Sequence, residues 1–305
     1  VLSVIIVLHN SADSVATAIA SVPPPAELVV VDNASTDDGA NVVLSARVDA
    51  RLVMCERNRG FGAGCNAGAA AAHGDRLLFL NPDAALLPGA AEAMLEAIDR
   101  EPSAIVGPAY VTADGAILGN CRRRSRPLQD VLELLPAAQR WMPNEIRRDV
   151  PLSDPLYTLG GPVAYVQGAC FAVTHDTFSR AGGFDEDFFL YAEEETLADR
   201  VRALGGRSLF VPESGVWHAG GTSTMKVAPL AVHHLYRSRV LFYAKRDGKL
   251  AAALTALAIG MAAATKAAVV AVRPGNEGAN LGYGLHWLCS VGSGLAAGLR
   301  ATARL

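Results

Sequence analysis

A chain of 305 residues, 51% hydrophobic and 19% charged, has ample material for a buried core, which excludes a disordered or fibrous protein. Its formal net charge of -3 and pI near 6.2 exclude a general nucleic-acid binder, whose surface would be basic. Five cysteines, Cys55, Cys65, Cys121, Cys170 and Cys289, are odd in number and lack Cys-x-x-Cys spacing. Neither a disulfide framework nor a zinc knuckle is expected from them, and the compartment reads as reducing and cytoplasmic.

Residues 2–8 form a β-branched apolar run, too short and wrongly flanked for a secretion signal, and predict a first buried strand. His9-Asn10-Ser11 supplies a turn and cap, and 14–21 predict a short helix before the break at Pro23-Pro24-Pro25. A second strand over 27–31 completes a parallel βαβ unit and ends on Asp32-Asn33, a carboxylate just past a strand end. The turn-rich loop Asn33-Ala34-Ser35-Thr36-Asp37-Asp38-Gly39 leads into a helix, and 51–55 predict a third strand. Next, Asn58-Arg59-Gly60-Phe61-Gly62-Ala63-Gly64-Cys65-Asn66-Ala67-Gly68 opens an Ala-rich helix. Gly62-x-Gly64-x-x-Ala67 formally matches the dinucleotide fingerprint, but it follows the third strand, and the first strand-to-helix turn has no glycine. An NAD-dependent oxidoreductase is therefore the weakest reading, and the glycines suit close helix packing or an anion at the helix start.

Leu77-Leu78-Phe79-Leu80 is apolar without alternation, as suits a strand covered on both faces, and Pro82 stops it. Asp83 then lies beyond the carboxyl end of that strand, where open α/β sheets bind ligands. With Asn81 beside it, Asp83 suits a hard divalent cation that also carries substrate phosphates; the competing reading is a plain turn residue after proline. Residues 88–100 predict a helix and 104–111 a strand. Residues 119–162 look irregular, with a short helix near 130–139, as in a substrate-facing excursion. Its cluster Arg122-Arg123-Arg124-Ser125-Arg126 reads either as a solvated basic loop or as a grip on a diphosphate or an anionic membrane.

Strand character returns over 165–173, and 177–181 predict a short helix ending at Gly182-Gly183. Phe188-Phe189-Leu190-Tyr191 precedes Glu193-Glu194-Glu195 at the start of a helix running to about Leu204. The helix dipole favours all three acids, yet successive residues point about 100° apart, so they cannot share one environment. One of them against an apolar wall would make a general base. A strand over 208–211 ends at Pro212, and His218 falls in the glycine-rich loop beyond it, either structural or a metal or phosphate contact. Residues 250–272, interrupted by Lys266, and 281–299 are apolar. A packed or dimerising helical hairpin, an interfacial membrane pair and true spans compete for them.

Five motifs, in order, resemble the inverting glycosyltransferases of family 2 with the GT-A fold, and within them the bacterial rhamnosyltransferase-like branch. They are Val31-Asp32-Asn33-Ala34-Ser35-Thr36-Asp37; Asn58-Arg59-Gly60-Phe61-Gly62 with Asn66-Ala67-Gly68; Leu80-Asn81-Pro82-Asp83; Gly183-Phe184-Asp185-Glu186-Asp187 through Glu194; and Trp217-His218 with Gly221-Thr222-Ser223. The resemblance implies an α/β fold with a doubly wound, mostly parallel sheet, helices on both faces and a C-terminal helical appendage. The expected division is a catalytic domain over 1–228, with a nucleotide-binding half (1–110) and an acceptor half (111–228), followed by a helical region over 229–305.

It further implies that Asp32 accepts the N3–H of a uracil or thymine ring, and that His9, Asn10, Asn33, Asn58, Gly60, Phe61, Asn66 and Asn81 contribute to donor binding. Asp83 takes the last position of the metal-binding Asp-x-Asp, with Asn81 in place of the first Asp, and His218 is the second protein contact to Mg²⁺ or Mn²⁺. Glu194 stands where the family has the Asp of its catalytic Glu-Asp pair. It is one methylene longer, with Thr196 replacing a second Asp and Leu197 and Arg200 kept; Glu193 and Glu195 are the alternatives for general base. The partners implied are a dTDP- or UDP-sugar donor, with rhamnose as the sugar, and a glycan or lipid-linked acceptor. The implied location is cytoplasmic, peripheral on the inner face of the membrane. A catalytically silent nucleotide-sugar binding module is the competing class.

Overall fold

The computed structural model describes residues 1–134, 140–219 and 228–271. Strands β1 (Leu2–Leu8), β2 (Glu27–Asp32), β3 (Arg51–Met54) and β4 (Arg76–Leu80) run parallel in the order β3-β2-β1-β4. Helices α1 (Ala12–Ala20), α2 (Gly39–Ala46) and α3 (Phe61–Ala71) fill the connections. The doubly wound start is as expected. A short β5 (Ala84–Leu86), helix α4 (Ala90–Arg100) and β6 (Ile105–Val111) follow, then β7 (Ile117–Leu118), β8 (Cys121–Arg122) and α5 (Pro127–Leu134). Next come α6 (Leu156–Leu159), β9 (Gly161–Val163), β10 (Tyr165–Val166), β11 (Cys170–Thr174), α7 (His175–Arg180), α8 (Glu193–Ala203) and β12 (Ser208–His218). The sheet continues from β4 through β11, β6 and β12 to β5, with β11 antiparallel to both neighbours and β12 parallel to β6.

Both sheet faces are covered, which is why the strands read as unbroken apolar runs. Val4, Ile6 and Leu80 pack with α1 and α4 on one side; Ile5, Val7, Leu77 and Phe79 pack with α3, α7 and α8 on the other. Phe79 stacks on Phe171 at 4.8 Å, and Phe184 meets its edge at 5.8 Å. The glycines of α3 let the helix approach the sheet closely. A Cβ at Gly64 would lie 2.6 Å from Val7 Cγ1, and one at Gly68 would strike Ile5. Their role in helix-to-sheet packing removes the motivation for reading them as a dinucleotide loop.

Three expectations need correction. The strand expected over 165–173 is two strands, β10 and β11, separated by a turn at 167–169. The expected 119–162 irregularity contains β8, α6 and the start of β9, and its helix begins at Pro127, with residues 135–139 outside those described. The strand expected to end before Pro212 runs on to His218, because a register shift between Val211 and Gly215 accommodates a residue that cannot donate to the ladder. His218 is thus a strand residue, not a loop residue.

At the amino edge of the sheet, Glu27 accepts hydrogen bonds from Ser3 Oγ and from His73 N, and its other oxygen lies 2.8 Å from His73 Nδ1. Burial pushes its carboxyl up, but these contacts outweigh burial and hold it near a pKa of about 2, against an ordinary 4.5. The folded value lies below the unfolded one, so the stabilisation is complete above about pH 4.5 and disappears as pH falls toward 2. Between about pH 5 and about pH 3 the wild type should lose about 2 kcal/mol more unfolding free energy than Glu27→Gln. Urea titrations at the two pH values check this.

The chain folds as two compact units. One comprises Val1–Arg124, Asp149–Phe189 and Glu193–Ser223; the other comprises Ser125–Arg148, Leu190–Ala192 and Thr224–Leu305. In the second unit, α9 (Ala228–Asp247) packs on α10 (Lys249–Ala271) through Tyr236, Val240 and Ala244 against Ala252, Ala256 and Ile259. Asp130 of α5 is buried there. It accepts from Tyr243 Oη at 2.7 Å and lies 3.5 Å from Arg148 and 3.7 Å from Arg239, while Arg239 donates to Ser125 Oγ at 2.9 Å. Those bonds make the 125–148 arm part of the C-terminal helical unit. Residues 281–299, the second apolar stretch, lie outside those described.

Candidate active site

The carboxyl ends of β1, β2 and β4 lie side by side, with β2 and β4 two strand spacings apart, about 10 Å. Asp32, the last residue of β2, is buried and accepts from Ser35 N at 2.7 Å. Asn33, next to it, donates through Nδ2 to Asn58 Oδ1 and to Gly60 O, both at 3.0 Å, while Asn58 Oδ1 also accepts from Gly60 N at 2.9 Å. His9 Nδ1 lies 3.1 Å from Asn33 O. Asn10, in left-handed backbone at φ 54°, accepts from Thr36 N at 2.8 Å and from Thr36 Oγ1 at 3.1 Å. The loops after β1, β2 and β3 are thereby fastened to one another beside Asp32.

Gly60 shows why that third loop needs glycine. Its φ is +97°, and a Cβ there would strike the Phe189 carbonyl, which accepts from Phe61 N at 3.0 Å. Asn66 points the same way. Its Nδ2 donates to Phe184 O and Glu186 Oε1, both at 3.0 Å, and its Oδ1 accepts from Phe184 N at 2.9 Å. Arg59 pairs with the same Glu186. The side chain of Asn66 thus holds the 184–186 segment, a use that its place in the motif did not reveal.

Beyond β4, the turn at Asn81-Pro82-Asp83 is closed by Ala84 N donating to Asn81 O at 3.1 Å. Asp83 is 5% exposed. The antiparallel pairing of β12 with β5 sets His218 opposite Ala84 and brings its Nε2 to 3.6 Å from Asp83 Oδ1. A buried carboxylate beside an imidazole suits a hard or borderline divalent ion that takes most of its remaining ligands from phosphate and water. Among the described residues no group of three or more acidic, histidine or cysteine side chains gathers as a metal cage. A site completed by a diphosphate fits that donor set.

The three glutamates of α8 do part company. Tyr191 and Ala192 both take φ 70°, and the helix starts directly after them. Glu193 and Glu195 are each 2% exposed, whereas Glu194 is half-buried and accepts from Gly168 N at 3.3 Å. Tyr165, Val166, Phe171 and Leu197 line the same small cavity as Glu194. Burial, then the charges of Glu193 and Glu194, push the Cys65 thiol of α3 well up, so both carboxylates bear on that buried thiol. Arg200 donates to Asp185 Oδ2 at 2.7 Å and to Gly183 O at 3.3 Å, tying the helix to the loop before it. The sequence reading missed Gly168, although a lone glycine inside a strand pattern signals a bulge or close approach.

Three arginines of the cluster have acidic neighbours, while Arg124 and Arg126 are exposed. Arg122 pairs with Asp149, Arg123 approaches Asp154 and Arg124 pairs with Asp199.

The family model described as "Glycosyl transferase family 2" matches residues 3–162. An N-acetylglucosaminyl-diphospho-decaprenol L-rhamnosyltransferase of Mycobacterium tuberculosis is 29% identical over 236 residues, covering 73% of this chain and 76% of that protein. Among solved structures, GalNAc-T7 with UDP, GalNAc and Mn²⁺ aligns at a TM-score of 0.56 and 19% identity, over 81% of this chain and 50% of that one. The Pyrobaculum calidifontis mannosyltransferase PcManGT with GDP-Man and Mn²⁺ aligns at 0.54 and 17% identity, over 99% of this chain and 86% of that one. At these identities the two structures establish the fold, which is of the GT-A type.

Proposed function

The chain belongs to glycosyl transferase family 2, and from that membership we propose that it moves rhamnose from a nucleoside-diphosphate sugar to a polyprenyl-diphosphate-linked glycan, with inversion at the anomeric carbon. The observation that carries the reading is the pairing of buried Asp83 with His218 at the carboxyl edge of the sheet, two strands from Asp32. In this reading Asp32 takes the N3–H of the base on the oxygen that Ser35 does not occupy, and the fastened loops around Asn33 and Asn58 hold the nucleoside. Asp83 and His218 would hold Mg²⁺ or Mn²⁺, which when bound supplies positive charge to the departing diphosphate. Glu194 removes the proton of the acceptor hydroxyl as that oxygen attacks the anomeric carbon from the face opposite the diphosphate. The choice of rhamnose and of a lipid-linked acceptor rests on the mycobacterial relative.

A thermal-shift screen of nucleotide-sugars with and without Mn²⁺, followed by transfer assays, tests the reading, since a ligand of the folded state raises its melting point. dTDP-rhamnose with Mn²⁺ should raise the melting point most and should rhamnosylate a polyprenyl-diphospho-N-acetylglucosamine. Binding without any transfer or hydrolysis would instead favour the silent binding module.

A lipid-linked acceptor favours attachment to the membrane surface. Among the described residues no helix is long and apolar enough to cross a membrane. Leu250, Leu254, Leu257 and Met261 of α10 are nonetheless exposed at helical spacing, each residue 56 to 73% accessible. From residue 224 onward the sequence carries ten lysines and arginines against two acidic residues, which suits anionic headgroups. The protein should float with phosphatidylglycerol vesicles and not with phosphatidylcholine vesicles, and the Leu254→Ser, Leu257→Ser double variant should lose most of that binding.

A further inference from the structure

Tyr110 lies outside every motif. It is a residue of β6, 2% exposed, and its hydroxyl sits between two backbone groups of one short turn: it donates to Gln167 O at 2.5 Å and accepts from Cys170 N at 2.8 Å. Its ring packs against that of His218, with centroids 5.5 Å apart.

The turn it pins at 167–170 faces two ways. Gly168 N donates to Glu194 Oε1, and the next residue, Ala169, accepts through its carbonyl from Asn81 N at 2.8 Å. Two consecutive residues therefore meet the general base of the proposed reaction and the start of the Asn81-Pro82-Asp83 turn. Gly168 leaves no slack in this arrangement, because a Cβ there would lie 2.9 Å from Glu194 Cγ. If the turn relaxes, the base moves relative to Asp83 and His218.

We propose that Tyr110 is a positioning residue for sugar transfer, whose hydroxyl holds the 167–170 turn and thereby fixes the spacing between the Glu194 carboxylate and the Asp83–His218 pair. The inference rests on the assignment of Glu194 as base and of Asp83 and His218 as the metal-bearing pair. It is independent of which sugar is transferred. Misplacement of a reacting group by about 1 Å can lower a rate about a hundredfold, so the effect should appear in turnover and not in donor affinity.

The test uses the full-length protein with its best donor and Mn²⁺. Tyr110→Phe, which keeps the ring against His218, should lower kcat at least tenfold while the donor Kd from calorimetry stays within twofold. Gly168→Ala, which disturbs the same turn from its other side, should show the same split. The double variant should lose less than the product of the two single losses, since both act through one turn. A kcat for Tyr110→Phe within twofold of wild type, a donor Kd that weakens in step with kcat, or a fully multiplicative double variant overturns the proposal. If Tyr110→Phe does not fold by circular dichroism, Gly168→Ala decides alone, and unchanged turnover in it overturns the role of the turn. A wild type that transfers nothing refutes the glycosyl-transfer reading itself, which separates the two failures.

Discussion

Glu194→Gln should lower kcat for transfer about a thousandfold, within the range general base catalysis supplies, and should leave donor affinity unchanged. Glutamine keeps the side chain's length and still offers an oxygen to Gly168 N, so the turn beneath it survives. What it cannot do is take a proton. The neighbouring acids provide the contrast. Glu193 and Glu195 are nearly inaccessible, and Glu193 lies beside the Gly62 and Cys65 face of α3. Glu193→Gln and Glu195→Gln should therefore act first on the melting temperature, with kcat within about tenfold of wild type under conditions where they fold. A kcat collapse confined to one of those two, with Glu194→Gln active, would move the base to that position.

The second large effect concerns Asp83. Asp83→Ala should weaken Mn²⁺-dependent donor binding at least a hundredfold, roughly the upper end of what loss of a supporting metal partner produces. In chelator the variant and the wild type should bind the nucleotide alike, because the Asp32 and Asn33 region is untouched. Asp83→Asn separates charge from shape. It preserves the turn closed by Ala84 N on Asn81 O and the Ala219 N bond to the residue 83 carbonyl, so a loss equal to that of alanine assigns the effect to the carboxylate's charge. Donor affinity that is indifferent to both substitutions and to chelator would remove the metal from this position.

How far the sequence revealed this arrangement depends on which physical signal each residue carries. Leu77, Leu78, Phe79 and Leu80 announce a central strand because both sheet faces are covered there, and all four are buried to 2% exposure or less. Asp32 and Asp83 were legible for the same reason, since a carboxylate directly after such a run has only the strand end to occupy. His218 was misplaced because Pro212 looks like a stop; a register shift lets β12 continue past it, and that depends on the partner strand rather than on local residues. β5 went unseen because three residues, Ala84, Ala85 and Leu86, give no periodicity to read. Motif position favours Glu194 among the three glutamates of α8, but no local signal in the sequence separates one half-buried carboxylate from two buried ones; packing does. Tyr110 and Gly168 act through contacts with residues far along the chain, and no motif records such contacts.

The interval 112–163 adds only short pairings to the main sheet, β7 on β6 and β9 on β12, and none of the residues assigned to the base, the diphosphate or the nucleobase lies within it. Evolution can therefore treat this excursion as a cassette. Lengthening or replacing its loops would leave the inherited chemistry in place, so paralogues should diverge fastest in this interval.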